Sequence, residues 1–123
     1  MKLTKNFKLS EFNSKDGAEM PNDVKVEVVR LACNLQRLRD HLKAPIVINS
    51  GYRSPSHNKA VGGAIRSQHL TGKACDIVVR GKTPQQVFEA IEVLISKGEM
   101  LQGGLKAYNT FVHYDIRQTK ARW

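Results

Sequence analysis

Only two cysteines occur in this chain, Cys33 and Cys75, far apart and without CxxC spacing. That is too few for a disulfide framework. Cys33 falls in a helical pattern and Cys75 opens a strand, so both are expected as small buried residues. Long apolar runs are missing as well. Nothing approaches the roughly 18 consecutive apolar residues of a membrane span, so no membrane insertion is expected. Behind the lysines of "MKLTKNFKLSEF" there is no apolar segment, so no secretory signal is expected either. A protein of this kind reaches a site outside the cytoplasm only by release or by another export route. No repeat, low-complexity tract or linker divides the 123 residues. They are expected to form one domain, 1–123, and without a coiled-coil seam a monomer.

Acidic residues are in deficit, with 11 Asp and Glu against 20 Lys and Arg, a net charge of +9. Such a balance suits polyanionic surroundings: nucleic acid, an anionic membrane or an anionic cell-wall polymer. The cations are scattered, however, and no helix-turn-helix, zinc-finger or RNP-like signature accompanies them. Specific nucleic-acid binding is therefore not expected.

The patterns that are present predict a small α+β fold. Val24, Val28, Leu31, Leu35, Leu38 and Leu42 recur at steps of four and three. They form one face of a long helix, with Asn22 or Asp23 as its cap. Pro45 forbids its continuation, and "PIVINS" reads as a short buried strand leading into a long polar loop. "ACDIVV" is a second strand. "TPQQ" opens a second helix, with Thr83 as N-cap, Pro84 at the first position and Gln86 completing a capping box. Val87, Ala90, Ile91, Leu94 and Ile95 form its buried face, and Gly98 stops it. "TFVHYDI" is a last strand. Earlier, "LSEFNS" suggests a brief helical turn capped by Ser10, with Phe7 and Phe12 as packing anchors. The expected architecture is helices packed on a mainly antiparallel sheet.

One stretch, "SQHLTGKACDIVV", places His69 and Asp76 seven residues apart around a glycine. On the last strand, period-2 alternation puts Phe111, His113 and Asp115 on one face. On "ACDIVV", Asp76 and Val78 share a face opposite Cys75, Ile77 and Val79. If these two strands pair, Asp76 and His113 converge across the sheet and His69 arrives from the preceding loop. Two imidazole nitrogens and one carboxylate oxygen suit zinc, and three protein ligands leave a fourth position open. Taken singly, each residue is equally an ordinary strand histidine or turn-capping aspartate.

The segment "SGYRSPSHNKAVGGAIRSQHLTGKACDI", residues 50 to 77, resembles the zinc D-Ala-D-Ala carboxypeptidase and L-alanyl-D-glutamate endopeptidase family of bacterial and phage peptidoglycan peptidases. "GGLKAYNTFVHYDIR" resembles the close of its small members, and "NFKLSEF" their start. The resemblance implies a zinc site at the sheet face, with His69, Asp76 and His113 as ligands. It implies that Arg53 binds and polarises the scissile carbonyl, and a peptidoglycan peptide as substrate. Ser67 either contacts substrate or caps its turn, and His57 is expected as loop scaffolding. Related branches carry a glutamate shortly before the third ligand; here "LKAYNTFV" contains no acid. Asp115 is then either the general base or the residue that orients a ligand imidazole. Tyr108 is a candidate for oxyanion or substrate binding, whereas Tyr114 faces away. The implied activity is a carboxypeptidase or endopeptidase, in the manner of a phage or prophage endolysin acting at the wall. The alternative is a non-catalytic zinc-binding or cell-wall-binding module.

Overall fold

Apolar residues spaced three and four apart do wind into one long helix in the computed structural model, which describes residues 1–123. Helix α1 (Asn22–Leu42) buries Val24, Val28, Leu31, Leu35 and Leu38. Its start differs from the expectation. Pro21 occupies the cap position and no side chain caps the helix, so Asn22 and Asp23 already lie inside it. Asp23 acts instead as an acid in the first turn, at the positive end of the helix dipole. The helix ends at Lys43, whose φ of 54° turns the chain away before Pro45. Leu42 is only half buried. Cys33 is exposed rather than buried. It lies two residues beyond Leu31, about 200° around the helix, and so faces away from the core. Cys75 is buried as expected.

Strands β1 (Ile46–Ser50), β2 (Ala74–Val79), β3 (Leu105–Ala107) and β4 (Val112–Asp115) form one antiparallel sheet in the order β1-β2-β4-β3. β1 is an edge strand, with Ile46 and Ile48 buried but Val47 half exposed, so "PIVINS" is not buried on both faces. β3 has no counterpart in the sequence prediction. Its three residues, Leu-Lys-Ala, are too few to show alternation and carry no β-branched side chain. The stretch expected as a long polar loop contains helix α2 (Pro55–Ala60), capped by the Ser54 hydroxyl, and a 3-10 turn at Gln68–Thr71.

Helix α3 (Pro84–Ser96) begins as predicted. Thr83 Oγ1 accepts from Gln86 N at 3.1 Å while Gln86 Oε1 accepts from Thr83 N at 2.9 Å. Gly98 follows it at φ +75°, a conformation that costs glycine little. Side chains of α1 and α3 share one core with Cys75, Ile77, Val79, Val112, Tyr114 and Ile116. The opposite side chains of β2 and β4 are left for another use. The fold is thus α+β, as the pattern predicts.

The N-terminal segment packs through Phe7 and Phe12, both buried, with ring centroids 6.2 Å apart. The 3-10 turn Leu9–Phe12 is capped by Glu11, whose carboxylate accepts from Lys8 N at 2.7 Å, and not by Ser10. Asp16 fastens the segment that follows to α2. Its carboxylate accepts from Ser54 Oγ at 2.5 Å, Ser14 Oγ at 2.7 Å and Ala18 N at 3.0 Å. These bonds, the Ser54 one foremost, lower its pKa from 3.8 to about 2. A carboxyl depressed on folding stabilises the fold above its unfolded value and loses that contribution as pH falls through its folded value. The melting-temperature gap between the wild type and Asp16→Asn is therefore expected to stay constant above about pH 5 and to narrow steadily below about pH 4. A gap that does not change with pH would show that the aspartate charge contributes nothing.

Candidate metal centre

The two central strands set the site. Asp76 in β2 and His113 in β4 are direct cross-strand partners, so their side chains leave the sheet on the same face. His69 reaches them from the 3-10 turn, where Ser67 Oγ accepts from His69 N at 3.2 Å. Asp76 Oδ1 lies 3.3 Å from His69 Nε2 and 3.2 Å from His113 Nδ1. All three residues are buried, and their ligand atoms lie within 4.8 Å of one another.

The remaining ring nitrogens fix the tautomers. His69 Nδ1 is 2.8 Å from the Gly51 carbonyl oxygen, which only accepts, so this nitrogen carries the hydrogen. His113 Nε2 likewise donates to Asp115 Oδ2 at 2.8 Å. In the neutral rings, His69 Nε2 and His113 Nδ1 are then lone pairs facing a carboxylate oxygen. Three electron-rich atoms converge with no hydrogen among them, an arrangement that calls for a cation. Burial alone would raise the Asp76 carboxyl. Without a cation, protons on the two rings take its place: hydrogen bonding from protonated His113 and His69 outweighs burial and holds the Asp76 carboxyl well below the usual carboxylate range. Burial would likewise lower the His113 imidazole, but Asp115 and Asp76 raise it instead. A two-nitrogen, one-oxygen donor set fits zinc better than magnesium or calcium, which prefer oxygen ligands.

Arg53 stands beside this group with every arm of its guanidinium occupied. Nη2 donates to Asp76 Oδ2 at 3.3 Å, Nη1 to Asn58 Oδ1 at 3.3 Å and Nε to Ser50 Oγ at 3.2 Å. Gly63 must lack a side chain, because a Cβ there would overlap the Asn58 carboxamide and come within 3.0 Å of Arg53 Nη1.

Asp115 is completely buried and accepts from His113 Nε2, Gly104 N, Arg117 N, Arg117 Nε and Arg117 Nη2. These bonds outweigh its burial and keep it ionised far below the usual range. A Cβ at Gly104 would overlap its carboxylate, so the backbone has to be bare there. Asp115 therefore faces His113 and not the open cleft.

That cleft, about 530 Å³, has the three candidate ligands and Arg53 in its lining. One wall is the segment containing Gly62, Gly63, Arg66 and Ser67. The other is aromatic: Tyr108 stacks on Phe111 with centroids 4.6 Å apart, and Trp123 stands edge-on to His113 at 5.2 Å. Trp123 Nε1 donates to Tyr108 Oη at 3.2 Å. Of the residues singled out in the sequence, Arg53, Ser67, His69, Asp76, Tyr108 and His113 all meet at this cleft. His57 sits in α2 outside the ligand group. Tyr114 points into the core, where its hydroxyl donates to the Leu101 carbonyl at 2.8 Å.

Asn58, Gly104, Arg117 and Trp123 escaped the sequence reading. For Arg117 a signal existed, since extending the alternation of "HYDIR" by two residues puts it beside Asp115. Gly51 acts through its carbonyl, which leaves no trace in residue identity.

Comparison with known proteins bears on the whole arrangement. No curated protein sequence matches. Among solved structures, the L-Ala D-Glu endopeptidase ChiX of Serratia marcescens is similar with a TM-score of 0.51 and 18% identity. The match covers 79% of this chain and 88% of that one. A sequence model described as Peptidase M15 matches residues 5–115, from the N-terminal segment through α1 and the candidate ligands to Asp115. By that match the chain belongs to the Peptidase M15 family.

Proposed function

We propose that this protein is a zinc peptidase that hydrolyses a peptide bond of the peptidoglycan stem or cross-link. The observation that carries the proposal is the convergence of His69 Nε2, Asp76 Oδ1 and His113 Nδ1 at the cleft lining, beside a restrained arginine. Family membership supports peptidase chemistry, and the named activity of the Serratia neighbour suggests the wall peptide as substrate. The basic surface suits an anionic polymer, which long-range attraction would concentrate around the enzyme.

His69, Asp76 and His113 would hold the zinc, which would supply Lewis acidity and a more acidic water near neutral pH. The chain's own groups do the rest. Arg53 binds the scissile carbonyl oxygen and stabilises the charge that develops there, a contribution greater in the transition state than in the ground state. Because all three of its nitrogens are already tied to Ser50, Asn58 and Asp76, while Nη1 and Nη2 each keep a second hydrogen for the substrate, little reorganisation accompanies that contact. Asp115 holds His113 in the tautomer that presents Nδ1. Tyr108 and Phe111 provide an apolar wall for the substrate, and Ser67 keeps the His69 turn in shape.

One observation favours a second reading, a zinc- or wall-binding module without hydrolysis: Asp76 is the only acid in the cleft lining. A mass-spectrometric digest of purified peptidoglycan decides between the two. New peptide fragments are expected with the zinc-loaded protein, lost on chelation and restored by zinc, and absent with His113→Ala. Stoichiometric zinc without any fragment, across several wall types, would leave only the binding module. The fragment masses also distinguish carboxypeptidase from endopeptidase cleavage, and release of whole-cell turbidity tests an endolysin-like role.

A further inference from the structure

Three arginines line the cleft, and they are not equivalent. Arg53 is paired with Asp76, and Arg117 with Asp115 at 2.7 Å. Arg66 makes no ion pair or side-chain hydrogen bond within the protein. It projects from the wall formed by residues 62–67, next to Ile65, which is 93% exposed. Yet the base of that segment is anchored. Asn58 Nδ2 donates to the Ala64 carbonyl at 2.9 Å, and Gly63 N donates to the Asn58 carbonyl at 2.8 Å. The same Asn58 holds Arg53 at 3.3 Å, so one buried side chain ties Arg53 to the base of the segment that carries Arg66.

We propose that Arg66 is a specificity-determining residue that recognises a free carboxylate on the substrate residue adjoining the scissile bond. This rests on the peptidase reading above. The single acid in the lining, Asp76, is engaged with Arg53 and the metal group, so no protein carboxylate competes for Arg66. A guanidinium offers a planar fork that matches a carboxylate in two parallel hydrogen bonds. Stem-type peptides provide the necessary choice, because an acidic residue can carry either a free α-carboxylate or its primary amide. The two forms are nearly isosteric and differ by one charge. Because Arg66 is exposed, solvent and salt screen the interaction, which keeps its expected effect moderate.

The test measures cleavage and binding of two peptides that differ only in that carboxylate or amide. The zinc-loaded wild type is expected to favour the carboxylate form by about tenfold, less at high salt. Arg66→Ala should erase the preference by losing activity and affinity on the carboxylate peptide alone, and Arg66→Lys should restore part of it. Arg37→Ala, an exposed residue of α1 that removes the same charge far from the cleft lining, should keep the full preference. Equal losses on both peptides, or a wild type that does not distinguish them in binding, overturn the role of Arg66. If neither peptide is cleaved, the peptidase reading fails, while the binding contrast still decides whether Arg66 reads the carboxylate.

Discussion

Exchanging Asp76 for asparagine is expected to abolish cleavage and to weaken zinc binding by roughly two to four orders of magnitude. The size of the effect follows from where this carboxylate sits. It is 7% exposed and lies within 3.3 Å of two imidazoles and of a guanidinium. Asparagine keeps its shape and volume, so the β2–β4 register and the core behind it remain. What disappears is the negative charge that offsets a divalent cation and Arg53 together. Without it, a metal and an arginine repel each other across a buried gap. Titration with zinc, followed by calorimetry and by the digest, measures both losses. The circular dichroism spectrum should not change. Retained cleavage by the asparagine variant would remove Asp76 from the metal site.

Asp115→Asn has the second-largest expected effect, and it separates the two roles that the sequence leaves open. The carboxamide can still accept from Gly104 N and Arg117 through its oxygen. Where Asp115 Oδ2 now accepts from His113 Nε2, however, an amide nitrogen would donate. His113 would have to accept there and move its hydrogen to Nδ1, covering the lone pair intended for the metal. Zinc affinity is then expected to fall about 10–100-fold, the usual cost of losing a partner that orients a ligand imidazole. The arginine beside it also loses its full charge partner, so thermal stability falls too. A general base at this position predicts a different result: a collapse of the rate with zinc affinity unchanged. Measuring zinc affinity and turnover on one preparation distinguishes the two.

The sequence disclosed the site more readily than the sheet around it. Period-2 alternation located His113 and Asp115 on one face, and the pairing of β2 with β4 put Asp76 opposite His113. The capping box at Thr83 and the apolar stripe of α1 were equally legible, because local chemistry alone determines them. β3 was hidden because three residues carry no period, and its pairing with β4 is a tertiary fact. Helix α2 was hidden because its six residues include no large apolar side chain and so show no apolar face, although Ser54 and Pro55 are a cap and a first-turn proline. The burial expected for Cys33 failed because composition says what a residue prefers, while its angular position on α1 decides what it gets. The hydrogen-bonding partners of the ligands lay furthest out of reach. Gly51 and Gly104 act through backbone atoms, and contacts between remote segments bring them into place.

The sheet order has a consequence for how such a protein can diverge. Two candidate ligands sit on interior strands, locked by a backbone ladder on both sides. The cleft walls come instead from excursions of the chain, residues 62–67 on one side and 108–111 with Trp123 on the other. Changes in those excursions alter what enters the cleft without moving Asp76 against His113. Chemistry and substrate choice are thereby separable: one is inherited with the strands, and the other is written in the connections, where Gly63 and Ser67 are tied to the site.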